Sequence, residues 1–389
     1  VDPVIRTRQD AFEAVEAYSP AEQQFNRRRR TIGLFIGPLA LIIMLLAPLP
    51  LKAPAHKLAG VMALMFVYWV TEALPVAITA LLGPLLVVLL RIAPAKETFA
   101  PFADPIIFLF LGSFILAEAM YVHRLDRRIA FTVLAQGSGG ASPTRILVLY
   151  GAVAAGISAW VSNTATAAML YPVGLSLVNH MAKGKGVGVP EARRFAMVMM
   201  LMTAFAASIG GVATPIGTPP NLIGLGMLHS LAGVHVTFTQ WMLLGVPLAV
   251  VLYGVLALWL AWGGMRGGAV PRVPVTEVKD ELRALGPVSI GERNVILAFG
   301  VTVALWLLPG VVGLAGGSDT SFAKGYAVAV PESVAALVGA VLLFLLPVDR
   351  RSRKFTMTWE QAVHIDWGTI ILFGGGLSIG AMAFSTGLA

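Results

Sequence analysis

Two short polar islands stand inside long apolar runs, and they are the residues of this chain best suited to chemistry. Ser162-Asn163-Thr164 lies within ISAWVSNTATAAMLYPV, and Gly217-Thr218-Pro219-Pro220-Asn221 lies within GGVATPIGTPPNLIGLG. Ser, Thr and Asn supply both donors and oxygens without net charge. A half-helix that begins at such a break aims unpaired N–H groups and a positive dipole end at it, which suits a carboxylate or sulfate. A half-helix that ends there presents carbonyl oxygens, which suit a hard cation such as sodium. A site of this kind can hold an anion and a cation together.

The elements around the islands must position them. Between Ile146 and Met181 only His180 is ionisable near neutral pH. A membrane helix needs about 20 residues to cross ~30 Å of hydrocarbon. The run is too long for one span and too short for two. It reads as a re-entrant helical hairpin over residues 142–181, turning at Ser162-Asn163-Thr164 and opening to the cytosol. Unwound backbone at that depth is tolerated only when it is buried in protein or lines a cavity. The second island reads as a broken helix over residues 195–231. Phe195–Ala207 is a half-span; Gly210, Gly211, Pro215, Pro219 and Pro220 interrupt it; Leu222–Leu231 resumes it. A kinked structural helix is the alternative for any one break, since Gly and Pro are common in membrane helices. Two hydroxyl-rich breaks so close in sequence point to a transporter-like binding site instead.

Composition agrees with a membrane chain: 57% of residues are hydrophobic and only 12% charged, which excludes an ordinary soluble domain. There is no cysteine, so thiol catalysis and thiolate metal sites are excluded. The six histidines have no metal-ligand spacing, and no phosphate-binding glycine motif is present. The net charge of +8 comes without an aromatic-basic platform for nucleic acid. Hydropathy places spans at about 31–50, 58–74, 76–91 and 106–126, then the hairpin and the broken helix, then 241–263, 290–312, 328–347 and 367–389. With the N-terminus inside, all Lys and Arg but Lys52, Lys57, Arg91, Lys96 and Lys324 fall in cytosolic segments, as the positive-inside rule requires. Residues 1–30 read as a cytosolic tail with a short amphipathic helix near Asp10–Phe25. Residues 264–289 read as a charged cytosolic linker with a surface helix near Val275–Leu285.

An internal repeat is visible. An offset of 256 lays residues 75–90 on 331–346 and matches Ala80 to Ala336 and Gly83 to Gly339. An offset of 263 lays residues 107–114 on 370–377 and matches Gly112 to Gly375. Inverted repeats are a transporter signature. The fold expected is therefore an all-α polytopic membrane protein, an inverted-repeat secondary transporter with a re-entrant hairpin and a broken helix. The same arithmetic puts counterparts of Ser162 and Gly217 near positions 425 and 480, so the chain is expected to be C-terminally truncated and the natural protein to continue past Ala389.

With these motifs in hand, the chain resembles the divalent-anion/sodium symporter family, which carries dicarboxylates, citrate or sulfate. The matching stretches are WVTEALPVAITALL (69–82), IIFLFLGSFILAEAM (106–120), WVSNTATAAML (160–170), IGTPPNLIG (216–224) and ILFGGG (371–376). The resemblance implies sodium-coupled transport of a small divalent anion, a C4 or C5 dicarboxylate first, by an elevator mechanism in a homodimer of the inner (plasma) membrane. It implies a sodium site at Ser158, Ser162, Asn163 and the backbone of Gly217, and substrate contacts at Asn163, Thr164, Thr218 and Pro219. It also divides the chain into scaffold helices of the first repeat (31–135), a transport-domain segment with hairpin, broken helix and following span (136–263), and scaffold helices of the second repeat (290–389). The family's second SNT-bearing break is absent from this sequence.

Rival readings remain distinct. A proton-coupled carrier or anion exchanger on the same fold would use Glu118 or His123 as proton carrier, although Glu72 and Glu118 read first as structural ion pairs or caps. A channel would conduct without saturable, coupled flux. An intramembrane enzyme would need a base beside Ser162, and His180, on the second arm, is out of reach.

Overall fold

The computed structural model describes residues 19–137, 142–182, 189–234, 236–264, 275–316, 325–326 and 328–389. The principal helices, in chain order, are α1 (Pro20–Leu46), α2 (Ala53–Thr71), α3 (Val76–Leu89), α4 (Pro105–Val122), α5 (Leu125–Gly137), α6 (Pro143–Ser158) and α7 (Asn163–Ala182). After them come α8 (Val189–Gly210), α9 (Pro219–Ala232), α10 (Phe238–Trp259), α11 (Val275–Ala284), α12 (Ile290–Gly316), α13 (Glu332–Leu345) and α14 (Trp367–Thr386). The only sheet among the described residues is a small antiparallel pair, Pro347–Asp349 with Lys354–Phe355. Seven described helices are long and apolar enough to cross a membrane. The chain is an all-α polytopic membrane protein.

Some element bounds differ from the hydropathy reading. The first helix begins at Pro20, inside the stretch read as tail. Ser19 and Glu22 form a reciprocal capping box, with Ser19 N donating to Glu22 Oε2 at 2.8 Å and Glu22 N donating to Ser19 Oγ at 3.3 Å. Such a start signal is polar, and a hydropathy window does not register it. Residues 10–18 of the expected amphipathic helix lie outside the described residues. The fourth span stops at Val122, because Arg124 turns the chain with a left-handed φ of 56°. A separate helix, α5, then buries Leu125, Ala130, Phe131 and Leu134. Its charged first turn hid it from the sequence reading. The linker helix is found at Val275–Ala284.

The chain forms two compact units, residues 1–108 with 366–389, and residues 109–365. In the first, α1 lies against α2 and α14 lies against α3. The α1–α2 approach is set by glycines one turn apart. A Cβ on Gly33 would fall 2.0 Å from Thr71 Oγ1, and one on Gly37 would fall 2.2 Å from the Tyr68 ring. Small residues at this spacing let side chains of the neighbouring helix seat against the backbone, where lipid offers no hydrophobic drive for association. Glu72 takes Arg29 and Arg30 at 2.9 and 3.1 Å, and Lys57 donates to Leu90 O at 3.0 Å. Each contact joins groups that the charge pattern assigns to one membrane face.

In the second unit a polar corner follows α4. His123 Nε2 donates to Thr356 O at 2.7 Å. Arg128 meets Glu292 Oε1 at 2.5 Å and donates to the carbonyls of Leu285, Gly286 and Pro287. The end of the charged linker is thereby fastened to α5. Beyond it, α6 and α7 both pack on α8. Buried Tyr150, on α6, donates to Leu170 O on α7 at 2.9 Å and lies 2.8 Å from Thr203 Oγ1 on α8. Tyr150 and Leu170 are almost equally far from residues 159–162, and a straight helix would hold them about 30 Å apart. The chain therefore reverses at that break, as a hairpin does. The Lys183 flank and the His180 side chain lie outside the described residues.

Packing inside the two units is reciprocal. A Cβ on Gly375 of α14 would fall 2.2 Å from Ala80 O of α3, and one on Gly112 of α4 would fall 2.7 Å from Ala336 O of α13. Under the offsets of the internal repeat, Ala80 corresponds to Ala336 and Gly112 to Gly375. Both glycines meet backbone of the facing helix. Gly112→Val and Gly375→Val are accordingly expected to destabilise alike, by about 1–3 kcal/mol or more for overpacking against backbone. Gly380→Val, where a Cβ meets nothing within 4 Å, serves as control. Apparent melting temperatures in detergent check this: both contact variants should melt several degrees lower, and the control should not.

Candidate functional site

The two breaks lie together in the second unit. The first arm, α6, ends at Ser158, and α7 begins at Asn163 with Ser162 as its cap, its Oγ accepting from Ala165 N at 3.3 Å. The tip is held by aromatic packing. Trp160 stacks on Phe238 with ring centroids 6.3 Å apart and meets Phe299 edge-on at 5.4 Å. Phe238 in turn stacks on Trp306 at 4.6 Å. The second break, residues 211–218, separates α8 from α9.

Backbone groups freed by unwinding must find partners, since each buried one left alone costs roughly 1–3 kcal/mol. Three side chains supply them. Thr214, 1% exposed, donates its hydroxyl to Ala159 O and so bonds one break to the other. It also accepts from Gly217 N at 3.2 Å. Buried Asn221 donates through Nδ2 to Gly211 O and to Thr214 O, both at 2.8 Å. Trp241 Nε1 donates to Val212 O at 3.0 Å.

Around this frame the oxygens converge. Fully buried Ser158 donates its hydroxyl to Asn163 Oδ1 at 2.8 Å. A Cβ on Gly211 would fall 2.3 Å from Asn163 Oδ1. A Cβ on Gly217 would fall 2.7 Å from Gly211 O, 2.9 Å from Ser158 O and 3.0 Å from Ala159 O. Both glycines are therefore required by close approach. Ser158, Asn163 and Gly217, predicted together, are brought together, and half-buried Ser162 adjoins them. The oxygens are all uncharged, and the described residues contain no cluster of three His, Cys, Asp or Glu. Such a set suits a singly charged hard cation and lacks the carboxylates of calcium sites.

The predicted anion contacts sit at the starts of the two half-helices. Thr164 is exposed on the first turn of α7; Thr218 and Pro219 are half-buried at the start of α9. No hydrogen bond joins Thr164 to Thr218 or Pro219. Asn163 belongs to both predicted sets and is half-buried. The sequence reading named Gly211 only as a helix breaker and missed Thr214 altogether. A lone hydroxyl in VATPIG carries no sign in one dimension that it will meet Ala159. His123, weighed as a proton carrier, spends its ring on the Thr356 carbonyl.

Membrane-length helices and two interrupted ones, joined at an oxygen-lined break, define a membrane transporter rather than an enzyme. The model of the family described as sodium:sulfate symporter transmembrane region matches residues 28–389, and the chain belongs to that family. It is 31% identical over 372 residues to a sodium-dependent dicarboxylate transporter, SdcS, of Staphylococcus aureus (strain USA300). That alignment takes in 92% of this chain and 68% of the relative. It is 32% identical over 369 residues to the protein of the same name from Staphylococcus saprophyticus, with the same coverage.

Asn221→Asp keeps the shape of the side chain but replaces two N–H donors with an oxygen facing two carbonyls. It should lower thermal stability in detergent by several degrees, from a loss of roughly 2–6 kcal/mol for two buried acceptors. Melting curves of the variant beside the parent protein check this.

Proposed function

We propose that the protein is a sodium-coupled secondary transporter of a small divalent anion, most readily a C4 or C5 dicarboxylate. The observation that carries this reading is the convergence of neutral oxygens from Ser158, Asn163 and the Gly217 turn, at a junction where two half-helices begin. The cation would lie among those oxygens. The anion would meet the α7 and α9 N-termini, with Asn163, Thr164, Thr218 and Pro219 as its contacts. Asn163 serves both ligands, its amide oxygen turned to sodium and its N–H to a carboxylate, so each ligand organises the other's site. The names of the staphylococcal relatives support both the ion and the substrate class.

The mechanism we infer is of the elevator kind. Residues 136–263, with hairpin and broken helix, would carry the ligands past scaffold helices drawn from 31–135 and 290–389. Residues 1–30 and 264–289 would be the cytosolic tail and linker. The hairpin would be re-entrant from the cytosolic side of the plasma membrane, the N-terminus cytoplasmic, and the working form a homodimer. The reciprocal Gly375–Ala80 and Gly112–Ala336 contacts support the repeat on which this division rests. A proton-coupled carrier or exchanger on the same fold is the alternative that sodium dependence separates.

Uptake of radiolabelled succinate into proteoliposomes, with and without an inward sodium gradient, tests the reading; citrate, 2-oxoglutarate and sulfate serve as competitors. Asn163→Ala should lower sodium-driven uptake at least about tenfold, the expected floor for leaving buried partners unpaired. Uptake equal in sodium and choline, or an Asn163→Ala variant with unaltered sodium dependence, would contradict it.

A further inference from the structure

Several hydroxyls on the helices of this protein follow a common pattern. Thr71, Thr98, Ser113, Thr203 and Thr302 each donate to the carbonyl four residues back, at 2.6 to 3.0 Å. Thr166 breaks the pattern. It lies on α7, is 0% exposed, and its Oγ1 has no hydrogen-bond partner. The carbonyl within its reach, Ser162 O, takes the Thr166 backbone N–H at 2.9 Å but not its hydroxyl. A threonine hydroxyl could turn to that carbonyl by rotation about one bond, so its orientation has another cause. Thr79 on α3 and Thr239 on α10 also lack a partner, but neither stands on a half-helix that starts at a break.

The place of Thr166 supplies the cause. It follows Ser162 by four residues and Asn163 by three, so all three share one face of α7. Helical side chains lean toward the N-terminus and cover the preceding turn. A side chain at Thr166 therefore leans toward the turn of Ser162 and Asn163, and Asn163 Oδ1 meets Ser158 and the Gly211 backbone. We propose that Thr166 is a further positioning residue of the cation site, its hydroxyl oxygen turned to the ion held by Ser158, Asn163 and Gly217, directly or through one water. This inference rests on the sodium reading above.

Thermal unfolding of the purified chain in detergent tests it, with sodium chloride varied against choline chloride at constant ionic strength. A ligand that binds the folded form raises the midpoint saturably. Thr166→Val keeps the shape and removes the oxygen. It should raise the half-saturating sodium concentration at least fivefold, while its midpoint in choline stays at or above that of the parent. Thr166→Ser keeps the oxygen and should stay within twofold of the parent. Should the valine variant not accumulate, Thr166→Ala is read on the same scale. Unchanged sodium affinity in the valine or alanine variant overturns the assignment. So does a valine variant that melts lower in choline with the serine variant equally impaired, which marks a packing role. A parent protein whose midpoint ignores sodium overturns the sodium reading itself, and this inference with it.

Discussion

The structure around the two breaks depends on one constraint: carbonyls freed by unwinding a helix in an apolar chain must be paid in hydrogen bonds from within the protein. Thr214 answers Ala159 O, Asn221 answers Gly211 O and Thr214 O, and Trp241 answers Val212 O. These donors leave Ser158 Oγ, Asn163 Oδ1 and the oxygens around Gly217 gathered at the junction. The Thr214–Ala159 bond also ties the breaks to each other. Close approach of Gly211 to Asn163 and of Gly217 to Ser158 and Ala159 adds to that tie.

The same economy of space governs the helices. Gly33 and Gly37 bring α1 onto α2, and Gly112 and Gly375 bring their helices onto Ala336 and Ala80. Backbone approach of this kind makes up in packing for the weak apolar drive within a bilayer. The hairpin arms are held differently, by a buried polar tie from Tyr150 to Leu170 O and Thr203. Its tip is wedged by Trp160 against Phe238 and Phe299. The tip is thus fixed in position, with Ser158 bonded to Asn163 Oδ1 and Ser162 capping α7.

Much of this was legible in the sequence because it is written in residue types with strong local consequences. Pro and Gly at 210–220 announce a break whatever the tertiary context. Polar residues centred in the apolar run 146–181 announce another. The missing parts arise from cross-chain geometry or from polar signals that hydropathy overlooks. Nothing near Thr214 in sequence names Ala159 as its partner. The Ser19 capping box starts α1 within a charged segment, and α5 hides its apolar face behind Asp126, Arg127 and Arg128. Thr166 reads as one more threonine until its burial and its missing partner are seen.

If the Thr214 bond makes one site of two breaks, cation and anion must bind cooperatively, and linkage requires the cooperation to be equal in both directions. The direct measurement is a pair of binding titrations on the purified protein: sodium with and without saturating succinate, and succinate with and without saturating sodium. The account predicts that each ligand tightens the other by the same factor, well above one, and that Thr214→Val shrinks that factor. Affinities for sodium and succinate that are independent of each other would contradict it.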